Sequence, residues 1–491
     1  MEITDKKYRF FEMLSGIMVW TALIGLFVLS FILPLWVIVF IIIYDLLWLF
    51  RIVYFSFYLI FSWRRCRKTV KQDWMTKTKE LANYESYYHL IFLPTYKEPY
   101  DIVRESFRYL KNSNYSKDKM IIVLAGEERD IENFTIIADK IKEEFGEIFY
   151  KFIITVHPKN LPEEMPGKGS NLHYSGHKVK EIIDAIGFEY EKVIVSAFDI
   201  DTVVHPEYFA YLAYKYITNP KQTRRSYQPI VVYANNIWTS STIVRVVAFG
   251  TTFWLLNELA HPERVVTFSS HSMPFKALVD VGFWDKNVVS EDSRIFLQCL
   301  IHYHGDYQVE PLHIPVYMNT VMIKSYWQSL KNLYKQQRRW AWGVENVPYM
   351  FKYFAGDKLT PLKKRAKHLF NMLEGMFSWA TAPILIFVLG RLPLWVAGES
   401  VKKLVFVQNS PYILERIMQL AMLGIFISAL LSFFLLPPKP PETKKTAYIT
   451  MVFQWILMPV TIIIFGALPA IDAQTRAMLG KRLDFWVTPK S

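Results

Sequence analysis

The chain has 491 residues, a net charge of +13, a hydrophobic fraction of 52% and an aromatic fraction of 16%. That is high for a soluble enzyme, and the apolar residues gather into runs long enough to cross a bilayer. The basic residues crowd beside those runs, as at Arg64, Arg65, Arg67, Lys68 and Lys71. This pattern fits the cytoplasmic face of a membrane and argues against a nucleic-acid partner, for which no motif is present.

In chain order, Lys6, Lys7 and Arg9 precede a first apolar run over residues 13–33, and Pro34 breaks it from a second over 35–61. The second run follows at once, so the first is expected to be a retained span and not a cleaved signal. Asp45 and Arg51 interrupt the second run and are expected to face a protein interior. From residue 64 the pattern changes to alternating strands and helices. Strands are expected at 88–93, 120–124, 149–156 and 193–198, with helices at 100–111, 131–145 and from Gly167 to 186. Repeated units of this kind imply a mainly parallel, doubly wound sheet. A helix at 207–217 and a strand near 230–234 follow. Residues 243–259 read as a surface or core helix, 280–292 as a loop ending at a helix start, and 302–320 as a polar stretch. His302 and His304 alternate in that stretch as on a polar strand. Residues 327–342 are amphipathic, basic and aromatic, the profile of an interfacial helix. Three further spans are expected at 369–389, 417–436 and 448–468, with a proline-rich linker at 437–445. Five spans place the two termini on opposite sides. The basic tail with Arg476, Lys481, Arg482 and Lys490 favours the inside, and a re-entrant segment within 392–407 would restore the parity. Cys66 and Cys299 are expected as free thiols.

Four groups carry chemistry. Asp199-Ile200-Asp201 follows a buried strand, and ligands bind at the carboxyl ends of strands in open α/β sheets. Spaced i, i+2 at a turn, both carboxylates can face one hard cation, Mg²⁺ or Mn²⁺. Ser290-Glu291-Asp292 opens a helix, whose amides hold an acid there; a plain N-cap with an acidic first turn explains it equally. In Gln336-Gln337-Arg338-Arg339-Trp340, Gln336, Arg339 and Trp340 share a helix face, suited to a diphosphate and a sugar ring. A basic-aromatic membrane-surface helix accounts for the same residues. Residues 94–99, PTYKEP, form a strand-end loop suited to a nucleotide. His173 and His177 lie at i, i+4 but lack a third ligand for zinc. Gly167-Lys168-Gly169 lacks the spacing of a P-loop.

The order PTYKEP, GKGSN, DID, SED, QQRRW, flanked by spans, resembles the membrane-embedded family 2 glycosyltransferases, among them cellulose, hyaluronan and chitin synthases. The resemblance implies an α/β GT-A (Rossmann-like) cytosolic domain in a polytopic α-helical membrane protein. The expected division is 1–63 for two spans, 64–324 for the catalytic domain and 325–368 for interfacial helices. Three spans over 369–470 and a basic tail over 471–491 complete it. The resemblance further implies that Asp199 and Asp201 hold the metal on the diphosphate and that Asp292 is the general base. Glu291, Gln336, Arg339 and Trp340 would serve acceptor and diphosphate. Thr95, Tyr96, Glu98 and Glu127 would bound the nucleotide, and Lys168 would approach it; His271 falls in a stretch that faces acceptor. Two departures stand out. The family usually has Asn where Lys97 stands, and Asp where Glu127 and Glu128 stand, which leaves the choice of base open. The expected activity is inverting, metal-dependent transfer from a nucleotide sugar, UDP-linked by expectation, to a growing polysaccharide at the inner membrane. A single transfer to a lipid or polyprenyl phosphate, or an inactive scaffold, are the alternatives.

Overall fold

The structure, a computed structural model, describes residues 5–441, 443 and 446–483. Helices α1 (Asp5–Ile32) and α2 (Pro34–Thr69) form a hairpin, with Pro34 at the first turn of α2, where its missing N–H costs nothing. α2 has 36 residues, about 54 Å at 1.5 Å per residue, well beyond a hydrocarbon core of about 30 Å. The surplus runs into the sheet domain, where Leu59 and Cys66 join the core around the sheet. Asp45 is buried, and Arg51 pairs with Glu374 at 2.6 Å. Both cysteines are buried and free.

The sheet has eight strands: β1 (Tyr88–Pro94), β2 (Met120–Glu127), β3 (Lys151–His157), β4 (Val193–Ala197), β5 (Val203–Val204), β6 (Arg225–Tyr233), β7 (His271–Pro274) and β8 (Gln308–Met318). Their order is β3-β2-β1-β4-β7-β6-β8-β5. The first four are parallel, linked by α3 (Tyr100–Lys111), α4 (Ile131–Phe145) and α5 (Lys168–Ile186). β1, β2 and β4 are near-continuous apolar runs, because helices cover both faces of a parallel sheet, whereas the edge strand β3 alternates. After β4 the sheet becomes mixed, unlike the mainly parallel expectation: β7 runs antiparallel between β4 and β6, and β5 antiparallel on β8.

The stretch 302–320 also differs from its reading. His302 closes α8 (Glu291–His302), which follows α6 (Tyr208–Ile217) and α7 (Thr242–Glu258). His304 lies in the ensuing turn with φ +49°, and the strand starts only at Gln308. Pro311 and Pro315 masked it. Pairing with β6 jumps from Pro229–Leu312 to Ile230–Pro315, so the chain bulges there and the missing proline donors are tolerated.

The interfacial region is α9 (Tyr326–Ala341), a tight turn over Trp342–Glu345 and α10 (Asn346–Gly356). Then come α11 (Leu362–Ile384), two short helices (Leu392–Val396 and Glu399–Lys402) and α12 (Val405–Leu435). Among the described residues, five segments are long and apolar enough to cross a membrane, the last being Ala447–Met478. That last one passes through irregular helical turns at Gln454–Leu457 and Ile463–Ala467 before α13 (Leu468–Met478), and it packs on the sheet domain. Tyr448 packs edge-on to Trp238, and Arg245 donates to Gln454 at 2.8 Å. Asp472 pairs with Arg338 at 2.9 Å. At the far end, Arg9 donates to the Ala477 carbonyl at 2.8 Å. One end of the segment therefore meets the sheet domain and the other the N-terminal turns of α1. Arg476, Lys481 and Arg482 follow the same course, while Lys490 and part of the 437–445 linker lie outside the described residues.

Candidate active site

The carboxyl ends of β2, β1 and β4 lie side by side, so Glu127, the 94–99 loop and Asp199 form one rim. Past β4 the chain turns, with the Thr202 amide donating to the Asp199 carbonyl at 2.9 Å. Asp199 Oδ2 accepts from Ser269 Oγ at 2.7 Å, and Asp201 Oδ2 from the Asn319 amide at 3.0 Å. Each acid is thus aimed from a second element.

Lys168 opens α5, and its ammonium lies 2.8 Å from Asp199, 3.0 Å from Asp292 and 3.4 Å from Glu291. One cation thereby gathers the DID and SED acids into one cluster. Burial opposes its charge, yet the three carboxylates outweigh it and hold Lys168 well above the usual lysine range. Glu291 is almost fully buried, and burial together with the adjacent Asp292 pushes its carboxyl up. The GKGSN turn permits this closeness. A Cβ on Gly169 would lie 2.8 Å from the Asp285 carbonyl oxygen, and Asn171 ties α5 to the Ala125 carbonyl at the end of β2.

The second half of the site comes from α9. Trp340 packs against Tyr233 at the end of β6, ring centres 5.8 Å apart. Tyr233 is half-buried; burial, then Asp199 and Asp201, push its pKa up, while Arg339 opposes them. Tyr233 therefore brings Arg339 and Trp340 to the acids. Gln336 joins them only as a neighbour of Trp340 on the same helix, and Arg338 turns away to Asp472.

In the rim loop, Thr95 Oγ1 donates to Glu98 at 2.9 Å and the Tyr96 amide donates to the same carboxylate oxygen. Glu98 thus shapes its own loop. Glu127 is held by Arg129 (Nε at 2.7 Å), whose guanidinium lies 4.6 Å from the Tyr96 ring centre. Burial raises the Glu127 pKa, and Arg129 counters it.

A model of glycosyl transferase family group 2 matches residues 194–468, more than half of the chain. The chain belongs to this family of glycosyltransferases. No curated protein sequence matches it. Among solved structures it is similar to a mannosyltransferase, PcManGT from Pyrobaculum calidifontis, in complex with GDP-Man and Mn²⁺. The identity is 13%, over 88% of this chain and 99% of that one, with a TM-score of 0.43. It is also similar to a TarS fragment from S. aureus in complex with UDP-GlcNAc, at 12% identity over 71% of this chain and 91% of that one, with a TM-score of 0.36. Overlaps this loose carry no weight for the site.

In this glycosyltransferase, Asp199 and Asp201 are the residues that could hold a metal. They offer only hard carboxylate oxygens. No set of three or more metal-ligating side chains converges among the described residues, so the remaining ligands would be donor phosphates and water, as Mg²⁺ prefers. His173 and His177 stand apart: His173 bonds the Trp284 carbonyl and His177 packs on Phe283. His271 is fully buried, its Nδ1 3.0 Å from the Phe268 carbonyl oxygen and 3.8 Å from Asp292. Tyr233, Ser269, Asn319 and Glu345 escaped the sequence reading. Only for Tyr233 was there a signal, an aromatic residue at the end of an apolar strand.

Proposed function

We propose that this glycosyltransferase moves a sugar, with inversion, from a nucleoside-diphosphate sugar to a growing glycan at the membrane. The supporting observation is the single ammonium of Lys168 shared by Asp199, Asp292 and Glu291. It puts a general-base candidate within a few ångströms of the diphosphate-side acids. Asp199 and Asp201 would hold Mg²⁺ or Mn²⁺, which supplies charge for the leaving diphosphate when bound. Arg339, near the same acids, stabilises the negative charge that develops there. Lys168, 2.8 Å from Asp199, adds positive charge on the diphosphate side of the site. Asp292 takes the acceptor hydroxyl proton, and one-step attack from the face opposite the leaving group inverts the anomeric carbon. Trp340 offers a ring face to the acceptor sugar, and Thr95, Tyr96 and the Glu127–Arg129 pair bound the base. The basic flanks at residues 64–71 and 363–367 support a cytosolic catalytic domain. The resemblance of QQRRW to the synthases favours repeated addition over single transfer to a lipid phosphate.

The test is nucleotide release by purified protein with a panel of UDP- and GDP-sugars, under Mn²⁺, Mg²⁺ or EDTA. Asp292→Asn is expected to lose at least 10²-fold in kcat, the range of a general base, while the donor still binds. Release that survives EDTA, or survives Asp292→Asn, overturns the assignment.

A further inference from the structure

The SED turn carries the base candidate, yet it does not cap itself. Ser290 stands at the N-cap of α8 without a side-chain bond to that helix. Its hydroxyl donates instead to Glu345 at 2.6 Å, 55 residues away. The same Glu345 oxygen accepts the amides of Ser290 at 2.8 Å and Val289 at 3.0 Å. The other Glu345 oxygen accepts the Trp342 indole N–H at 3.1 Å. Asn346, the next residue, donates to Ser290 Oγ at 3.2 Å and Ser293 Oγ at 3.0 Å, and accepts Arg294 Nε at 2.6 Å. A half-buried carboxylate that accepts four hydrogen bonds is a rigid bracket, because each donor loses its partner if it moves.

Glu345 lies five residues past Trp340, on the turn that ends α9. The bracket therefore joins the helix of Arg339 and Trp340 to the turn of Asp292. We propose that Glu345 is a positioning residue: it fixes Asp292 relative to Arg339 and Trp340, and so sets turnover without touching the donor. This deepens the reading above, since it rests on Asp292 as the base.

The experiment compares Glu345→Ala, Glu345→Gln, Trp342→Phe and the Glu345→Gln/Trp342→Phe double variant in the full-length protein. Turnover, donor KM, nucleoside-diphosphate affinity by calorimetry and the melting midpoint are read together. Glutamine keeps an oxygen for the Ser290 and Val289 donors but aims an N–H at the Trp342 N–H. The expected order of kcat is therefore wild type, then Glu345→Gln, then Glu345→Ala, the last down at least tenfold. Donor KM and diphosphate affinity stay within about twofold. Trp342→Phe removes the opposed donor, so it should restore part of the Glu345→Gln loss, a positive coupling between the two sites. Unchanged kcat in Glu345→Ala overturns the proposal. So does a fall of kcat and diphosphate affinity together, which marks general loosening. If Glu345→Ala does not fold, the Glu345→Gln pair decides, and absence of coupling counts against the bracket. Asp292→Asn separates the two failures: if it retains turnover, the base assignment falls; if it is inactive while Glu345→Ala is fully active, only the bracket falls.

Discussion

Lys97 has a φ of +63°, in the left-handed region where a side chain such as lysine costs about 1–2 kcal/mol and asparagine is better tolerated. The strain is anchored by the Lys97 amide donating to Asp130 at 2.8 Å, while Arg129 and Lys97 both lie against Tyr96. The loop is shaped before any nucleotide arrives. A second residue makes stability depend on pH. His89, on β1, is fully buried edge-on to Tyr115 and Phe209, and burial lowers its pKa from 6.5 to about 3. The unfolded chain takes that proton below 6.5 and the folded chain does not, so this term leaves stability intact above 6.5 and erodes it as pH falls. His89→Phe is expected to recover about 2 kcal/mol at pH 5 relative to its effect at pH 7.5. Melting midpoints at the two pH values check it, and an equal effect at both would show that His89 does not carry the acid sensitivity.

Among elements, β1, β2 and β4 were readable because buried parallel strands are unbroken apolar runs between turn residues. α3 and α4 were readable to the residue because their apolar spacing is helical. β7 was not: its four residues, His-Ser-Met-Pro, are too few and too polar for a period, and their burial comes from neighbours remote in sequence, β4 and β6 among them. The site divides the same way. Asp199, Asp201 and Asp292 sit at element ends, where sequence has a grammar. Glu345 and Asn319 act through contacts with partners 55 and 118 residues away, which spacing along the chain cannot show. Ala447–Met478 is long and apolar enough to cross a membrane, as hydropathy expects, yet its contacts point another way. Its exposed apolar residues, among them Phe453, Ile456 and Val460, ask for lipid, but Tyr448 packs on Trp238 of the catalytic domain and Met478 on Gly16 of α1, whose N-terminal end is basic. The expectation is four crossings, with this segment dipping into one leaflet and returning. Lys439→Cys and Lys481→Cys in sealed vesicles test it with a membrane-impermeant maleimide. Labelling from the same side is expected, and labelling from opposite sides would make the segment a true span.

For the molecule as a whole, the catalytic domain and the membrane helices share one core. Leu59 and Cys66 of α2, Leu431 of α12 and Trp455 belong to the same buried apolar cluster as the sheet. Cut to residues 70–341, the domain would expose those faces to water. It is therefore expected to aggregate, where a self-sufficient domain would run as a monomer that binds nucleoside diphosphate. Size-exclusion chromatography distinguishes the two. The shared core also sets an order on biogenesis. The N-terminal hairpin is made first, but the sheet it will support cannot complete its packing until residue 455 has left the ribosome. Strands β1 to β8 must therefore wait, partly assembled, through the synthesis of more than a hundred further residues. The cell makes this enzyme's catalytic half early and can use it only late.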